Sequence, residues 1–150
     1  EKQVVGISSL APEYHLKWLM DLLQSDPFQE IVDVRYLLMT EKRAGWKREA
    51  DDCTVGILYH TMKCGRFEIS KYEEELKYLS KKLGKERVMV VIDDVEKGDD
   101  NETKKFIDNN QGILSLSTHF LLIPLNNKEK AARDKLDQIC KDLRRGNSLR

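Results

Sequence analysis

Five apolar runs punctuate the chain: Val4 to Ile7, Val32 to Met39, Thr54 to Tyr59, Val88 to Ile92 and His119 to Ile123. Each is followed by a charged amphipathic stretch. The runs are rich in Val, Ile and Leu and too continuous for strands with one face in water, so they predict strands covered on both faces, as in a parallel sheet. Between them, apolar residues recur at helical spacing. These are Leu16, Leu19, Met20 and Leu23, then Leu76, Leu79 and Leu83, then Ala132, Leu136, Ile139, Cys140 and Leu143. The second crossover, Trp46 to Asp52, offers barely two turns, and Asn109, Asn110 and Gly112 interrupt the fourth, Glu102 to Leu116.

Local punctuation sharpens the boundaries. Ser70 and Glu73 have capping-box spacing, which predicts a helix start at Ser70, and Gly84 sits where a left-handed cap would end that helix. Pro12 and Pro27 suit the first turn of a helix, and Asn126 or Asn127 would open the last helix after Pro124 ends the fifth strand. Parallel strand connections are right-handed almost without exception. The expected product is a three-layer α/β/α sandwich with a five-stranded parallel sheet in the flavodoxin-like order 2-1-3-4-5.

Length agrees with one domain over residues 1–150, able to bury a core without staples. Because Glu1 lies only three residues ahead of a core strand, the domain is expected to be excised from a longer protein. No run reaches the roughly 18 apolar residues needed to cross a membrane. A net charge of zero, from 26 basic and 26 acidic residues, argues against a nucleic-acid binder, which needs a basic excess. The tail residues Lys141, Arg144, Arg145 and Arg150 read as cations complementing a helix dipole. Cys53, Cys64 and Cys140 have no metal-binding spacing, which speaks against zinc and disulfides and fits a cytoplasmic setting. No metal and no resident cofactor are expected.

In an open parallel sheet, ligands bind beyond the carboxyl ends of the strands where the strand order reverses. For order 2-1-3-4-5 the loops there are Ser8 to Ala11 and His60 to Arg66, giving Ser8, Ser9, His60 and Arg66 as ligand-binding candidates. Lys63, Arg66 and Phe67 suit an anionic ligand or an acidic partner. Neither loop carries G-x-x-x-x-G-K-[ST] or G-x-G-x-x-G, which speaks against a nucleoside triphosphatase and a Rossmann dinucleotide site. Ser8-Ser9 and His60 stand where a response-regulator receiver needs acids, and the first loop lacks the glycine and the repeated hydroxyls of a flavin phosphate site. Asp93 and Asp94 could hold a divalent cation, but with Glu96, Asp99 and Asp100 they read first as a solvated acidic loop. His60 reads either as an acid-base group or as a strand-end side chain bonded to a loop.

Val4 to Ser9 followed by Tyr14 to Leu23 resembles the opening of a Toll/interleukin-1 receptor (TIR) domain, and Ala50 to Tyr59 resembles that family's second-helix end and third strand. Ser70 and the helix holding Glu74-Glu75-Leu76 resemble its serine, aromatic and Glu-Leu sequence. The resemblance implies a cytoplasmic signalling module of the innate-immune kind. Such a module associates with its own kind or with a partner through the loop after the second strand, here Thr40 to Trp46. Within that loop Arg43 and Trp46 are the residue types most often found as interface anchors, although Trp46 reads equally as core. The alternative implied by the family is an NAD glycohydrolase in which Glu75 or Glu74 stabilises positive charge developing on the ribose, with NAD as substrate only. The Trp-Cys that precedes that glutamate in the family is absent here, and acids in a first helical turn also simply favour the dipole. A third reading is a noncatalytic sensor of a small anionic ligand.

Overall fold

The computed structural model describes residues 2–30, 32–39 and 43–148, and the side chains of Arg43, Leu114, Cys140 and 142–148 lie outside the described set. The apolar runs form strands β1 (Gln3–Ser9), β2 (Val32–Leu38), β3 (Val55–Thr61), β4 (Val88–Val95) and β5 (His119–Pro124). The intervening stretches form helices α1 (Glu13–Leu23), α2 (Arg43–Asp51), α3 (Glu73–Leu83), α4 (Asp100–Asn109) and α5 (Lys128–Ser148). All strand pairs are parallel, and the sheet order is β2-β1-β3-β4-β5, as the pattern predicts.

Strand side chains alternate between the two faces, and β1, β3, β4 and β5 are largely covered on both. Edge strand β2 departs from the expectation of full cover, because it has a neighbour on one side only and leaves Asp33, Arg35 and Leu38 exposed. Val5, Ile7, Val34, Ile57, Tyr59, Val91 and Ile123 pack against α1 and α5 through Leu16, Leu19, Leu23 and Leu136. On the other face Leu37, Leu58, Val90, Ile92 and Leu122 meet Trp46 and Ala50 of α2 and Leu76 and Leu79 of α3. Gly6 permits the close approach of β1 to the α2 end, since a Cβ there would lie 2.6 Å from Cys53 Sγ.

Several boundaries differ from expectation. No side chain caps α3, whose first residue is Glu73, and Ser70 lies in a preceding 3-10 turn, Ile69–Lys71. The capping box fails because the tight turn holds Ser70 three residues outside the helix. Gly84 ends α3 as expected, with φ +86° and its N–H on the Ser80 carbonyl. Pro27 leads into a 3-10 turn, Phe28–Glu30, and not into an α-helix. Pro12 takes the N-cap position of α1. The weak second crossover does form a helix, because Trp46 and Ala50 lie one turn apart and bury one stripe. The fourth breaks where Asn109, Asn110 and Gly112 predict, into α4 and a 3-10 segment, Gln111–Ser115.

Candidate functional site at the carboxyl ends of the strands

Strand register brings the predicted loops together. Ser9 lies level with Leu38 on β2 and Tyr59 on β3, while Thr61 lies level with Asp93 on β4. The reversal point between β1 and β3 holds a small pocket of about 80 Å³ lined by Ser9, Leu10, Ala11, His60, Thr61, Cys64, Lys71 and Tyr72. Of the four ligand-binding candidates, Ser9 and His60 therefore meet there. Ser8 faces the opposite side of β1 and its Oγ accepts the Trp46 indole N–H at 2.8 Å. Arg66 is exposed and does not line this pocket.

His60 is buried with both ring nitrogens engaged. Its Nε2 lies 2.8 Å from the Gly65 carbonyl, which can only accept, so the proton sits on Nε2 and Nδ1 accepts from the Tyr72 hydroxyl at 2.6 Å. Burial pushes the imidazole below its ordinary value of 6.5, against an upward pull from the Gly65 carbonyl and Asp93. Burial likewise pushes the Tyr72 phenol up to about 12. The ring is therefore neutral and satisfied by the loop, which is the second of the two readings for His60.

Asp93 and Asp94 correct the expectation of a solvated acidic loop. Asp93 is 1% exposed and Asp94 8%, because the apolar strand β4 carries both into the interior before it ends. Asp93 Oδ2 accepts the Trp18 indole N–H at 3.1 Å, the Lys128 ammonium at 3.3 Å and the Tyr59 hydroxyl. That hydroxyl also lies 3.0 Å from the His15 carbonyl, but its single proton goes to the carboxylate, the stronger acceptor. Burial and the Asp93 bond together push the Tyr59 phenol far above its usual value. Asp94, at a left-handed φ of +59°, pairs with Lys128 and, at 3.3 Å, with Lys63. Burial raises its carboxyl, but the two lysines outweigh that and hold it below the ordinary 3.8. Lys128 thus sits where a cation shared by the two acids would sit. Among the described residues no group of three or more His, Cys, Asp and Glu side chains could hold a metal ion.

Glu74 and Glu75 line a separate pocket of about 210 Å³ between α2 and α3, with Trp46, Lys47, Lys77, Tyr78 and Lys81. Glu75 Oε2 is buried there without a hydrogen-bond partner. Trp46 itself is 4% exposed, packed edge-on to Tyr78 and tied to Ser8, so it is a core residue and no exposed anchor. The rest of the predicted interaction loop, residues 40–42, lies outside the described residues, as does the Arg43 side chain, and α2 already begins at Arg43. The large exposed apolar side chains at this end are instead Leu10 after β1, Tyr14 in the first turn of α1, Leu38 at the end of β2 and, near the far edge, Leu125. A wider open groove of about 620 Å³ beside β4 is rimmed by Asp94, Glu96, Glu102, Lys97 and Lys105.

The parallel sheet with its reversal between β1 and β3 makes this a flavodoxin-like α/β sandwich. No helix among the described residues is long and apolar enough to cross a membrane. No protein-family model and no curated protein matches the chain.

The site makes stability depend on pH in two separate windows. Unfolded His60 takes a proton near 6.5 while the native ring stays neutral, so stability falls as pH drops through 6.5 toward the lower folded value. The contribution of Asp94 is present above its ordinary 3.8 and is lost as pH falls through its lower folded value. Urea unfolding across both windows is expected to lose the first slope in His60→Asn and the second in Asp94→Asn. A His60→Asn profile parallel to wild type would contradict the neutral-ring assignment.

Proposed function

We propose that the domain is a TIR-like protein-protein interaction module that works by association with a second copy of itself. The observation that carries this reading is that three large apolar side chains, Leu10, Tyr14 and Leu38, are exposed at the carboxyl end of the edge pair β1 and β2. Leu10 follows Ser9, which is level with Leu38, so the two leucines lie at the same end of neighbouring strands. Tyr14 is 72% exposed in the helical turn that follows. Tyrosine is an anchor residue at interfaces, and its burial against a partner removes apolar area from water. A net charge of zero imposes no long-range repulsion between copies.

Sedimentation velocity over rising concentration is expected to show reversible dimers or larger species. Tyr14→Glu and Leu38→Glu should each weaken association about tenfold, or ~1.4 kcal/mol. Association unchanged in both variants would remove this surface from the reading, and no association at any concentration would point to a different partner domain.

The NAD glycohydrolase reading is favoured by one feature, the unpartnered Glu75 Oε2 in the α2–α3 pocket. Against it, that pocket's 210 Å³ falls short of the roughly 300 Å³ at which small-molecule sites begin. Concentrated protein incubated with NAD is accordingly expected to release no nicotinamide above a protein-free control. Release that disappears in Glu75→Ala would make the protein an enzyme.

A further inference from the structure

The pocket at the reversal point is too small for a nucleotide, and although most of its wall is apolar, Ser9, His60, Thr61, Lys71 and Tyr72 add polar groups whose unused hydrogen bonds define what it accepts. The Thr61 hydroxyl is already committed, donating to Asp94 and accepting the Lys63 N–H. His60 has no nitrogen free, and the Tyr72 proton is given to it. Ser9, fully buried, accepts the Ala11 N–H at 3.0 Å through Oγ, which leaves its hydroxyl proton to donate. Lys71 lines the same pocket, and among the described residues its ammonium forms no ion pair. No carboxylate lines it; the acids of β4, Asp93 and Asp94, are held by Lys128 and Lys63. What remains is a donor and a cation, with no carboxylate in the lining itself.

Size narrows the ligand. About 80 Å³ is room for a few waters, at roughly 30 Å³ each, or for one tetrahedral ion, and not for a sugar or a base. We propose that this pocket is a binding site for a small free oxyanion of the phosphate or sulfate class, with Ser9 donating a hydrogen bond and Lys71 supplying the charge. The neutral His60 is part of the design, since its bonds to Tyr72 and Gly65 hold the 62–65 turn that forms one wall. The site adjoins the proposed association surface and shares Leu10 with it.

Thermal denaturation of the whole chain in rising inorganic phosphate, with chloride replaced at constant ionic strength, tests the site, because a ligand that binds only the native state raises Tm. A saturable rise is expected with phosphate and sulfate, with apparent affinity reduced tenfold or more in Lys71→Ala and in Ser9→Ala and retained in Lys71→Arg. Ser9 is buried, so if its variant folds poorly the exposed Lys71 variants decide. A Tm rise no larger than in chloride, or one unchanged in Lys71→Ala, would overturn the proposal. A rise with glycerol phosphate but not with free phosphate would overturn the free-ion assignment.

Discussion

One buried carboxylate, Asp93, sets the terms for the carboxyl end of this domain. A charge so deep in the sheet is costly unless it is hydrogen-bonded and paired. Its partners come from three other elements: Trp18 from α1, Tyr59 from β3 and Lys128 from the first turn of α5, which also pairs with the neighbouring Asp94. Each must stay in place for the carboxylate to be tolerated. The lysine also sits over the Trp18 ring at 5.7 Å, so helices α1 and α5 meet over the strand ends through one polar contact as well as through their apolar stripes.

That constraint divides the edge where α/β sheets usually bind ligands into three zones of different chemistry. Beneath β3 and β4 the charges neutralise one another. At the reversal point His60 is saturated by its own loop, and only a small cavity with Ser9 and Lys71 stays open. Beyond it, at the β1–β2 edge, polar groups give way to Leu10, Tyr14 and Leu38. On the other side of the paired acids the wider groove of about 620 Å³ beside β4 stays open, so the charges close the middle of this edge and not its whole length.

The order of the elements was legible because hydrophobic periodicity is a property of consecutive residues. Continuous Val, Ile and Leu runs gave covered strands except at edge strand β2, where Asp33 and Arg35 alternate with the apolar residues, and Asn109, Asn110 and Gly112 marked the break in the fourth crossover. Failures came where long-range contacts override local signals. Ser70 and Glu73 had the right spacing for a cap, but the tertiary path turns before the helix begins. Trp46 in a charged segment read equally as an exposed anchor, and only the fold brings Ser8, 38 residues away, under its indole. The Asp93 node joins residues 75 and 35 positions apart, which no spacing rule reaches. A trace was present nonetheless: an apolar strand covered on both faces that runs straight into an aspartate carries that residue inward, whereas an aspartate in a free loop has no such run before it.

The central claim is that Asp93 and Lys128 depend on one another and thereby tie the end of β4 to the first turn of α5. Its most direct test is a double-mutant cycle by urea denaturation with Asp93→Asn, Lys128→Met and the pair. The account predicts that Lys128→Met alone costs about 3 kcal/mol by stranding buried carboxylates, and that the double variant costs less than the sum of the singles by more than about 1 kcal/mol. Additive losses within about 0.5 kcal/mol would show the two residues to be independent and would contradict it.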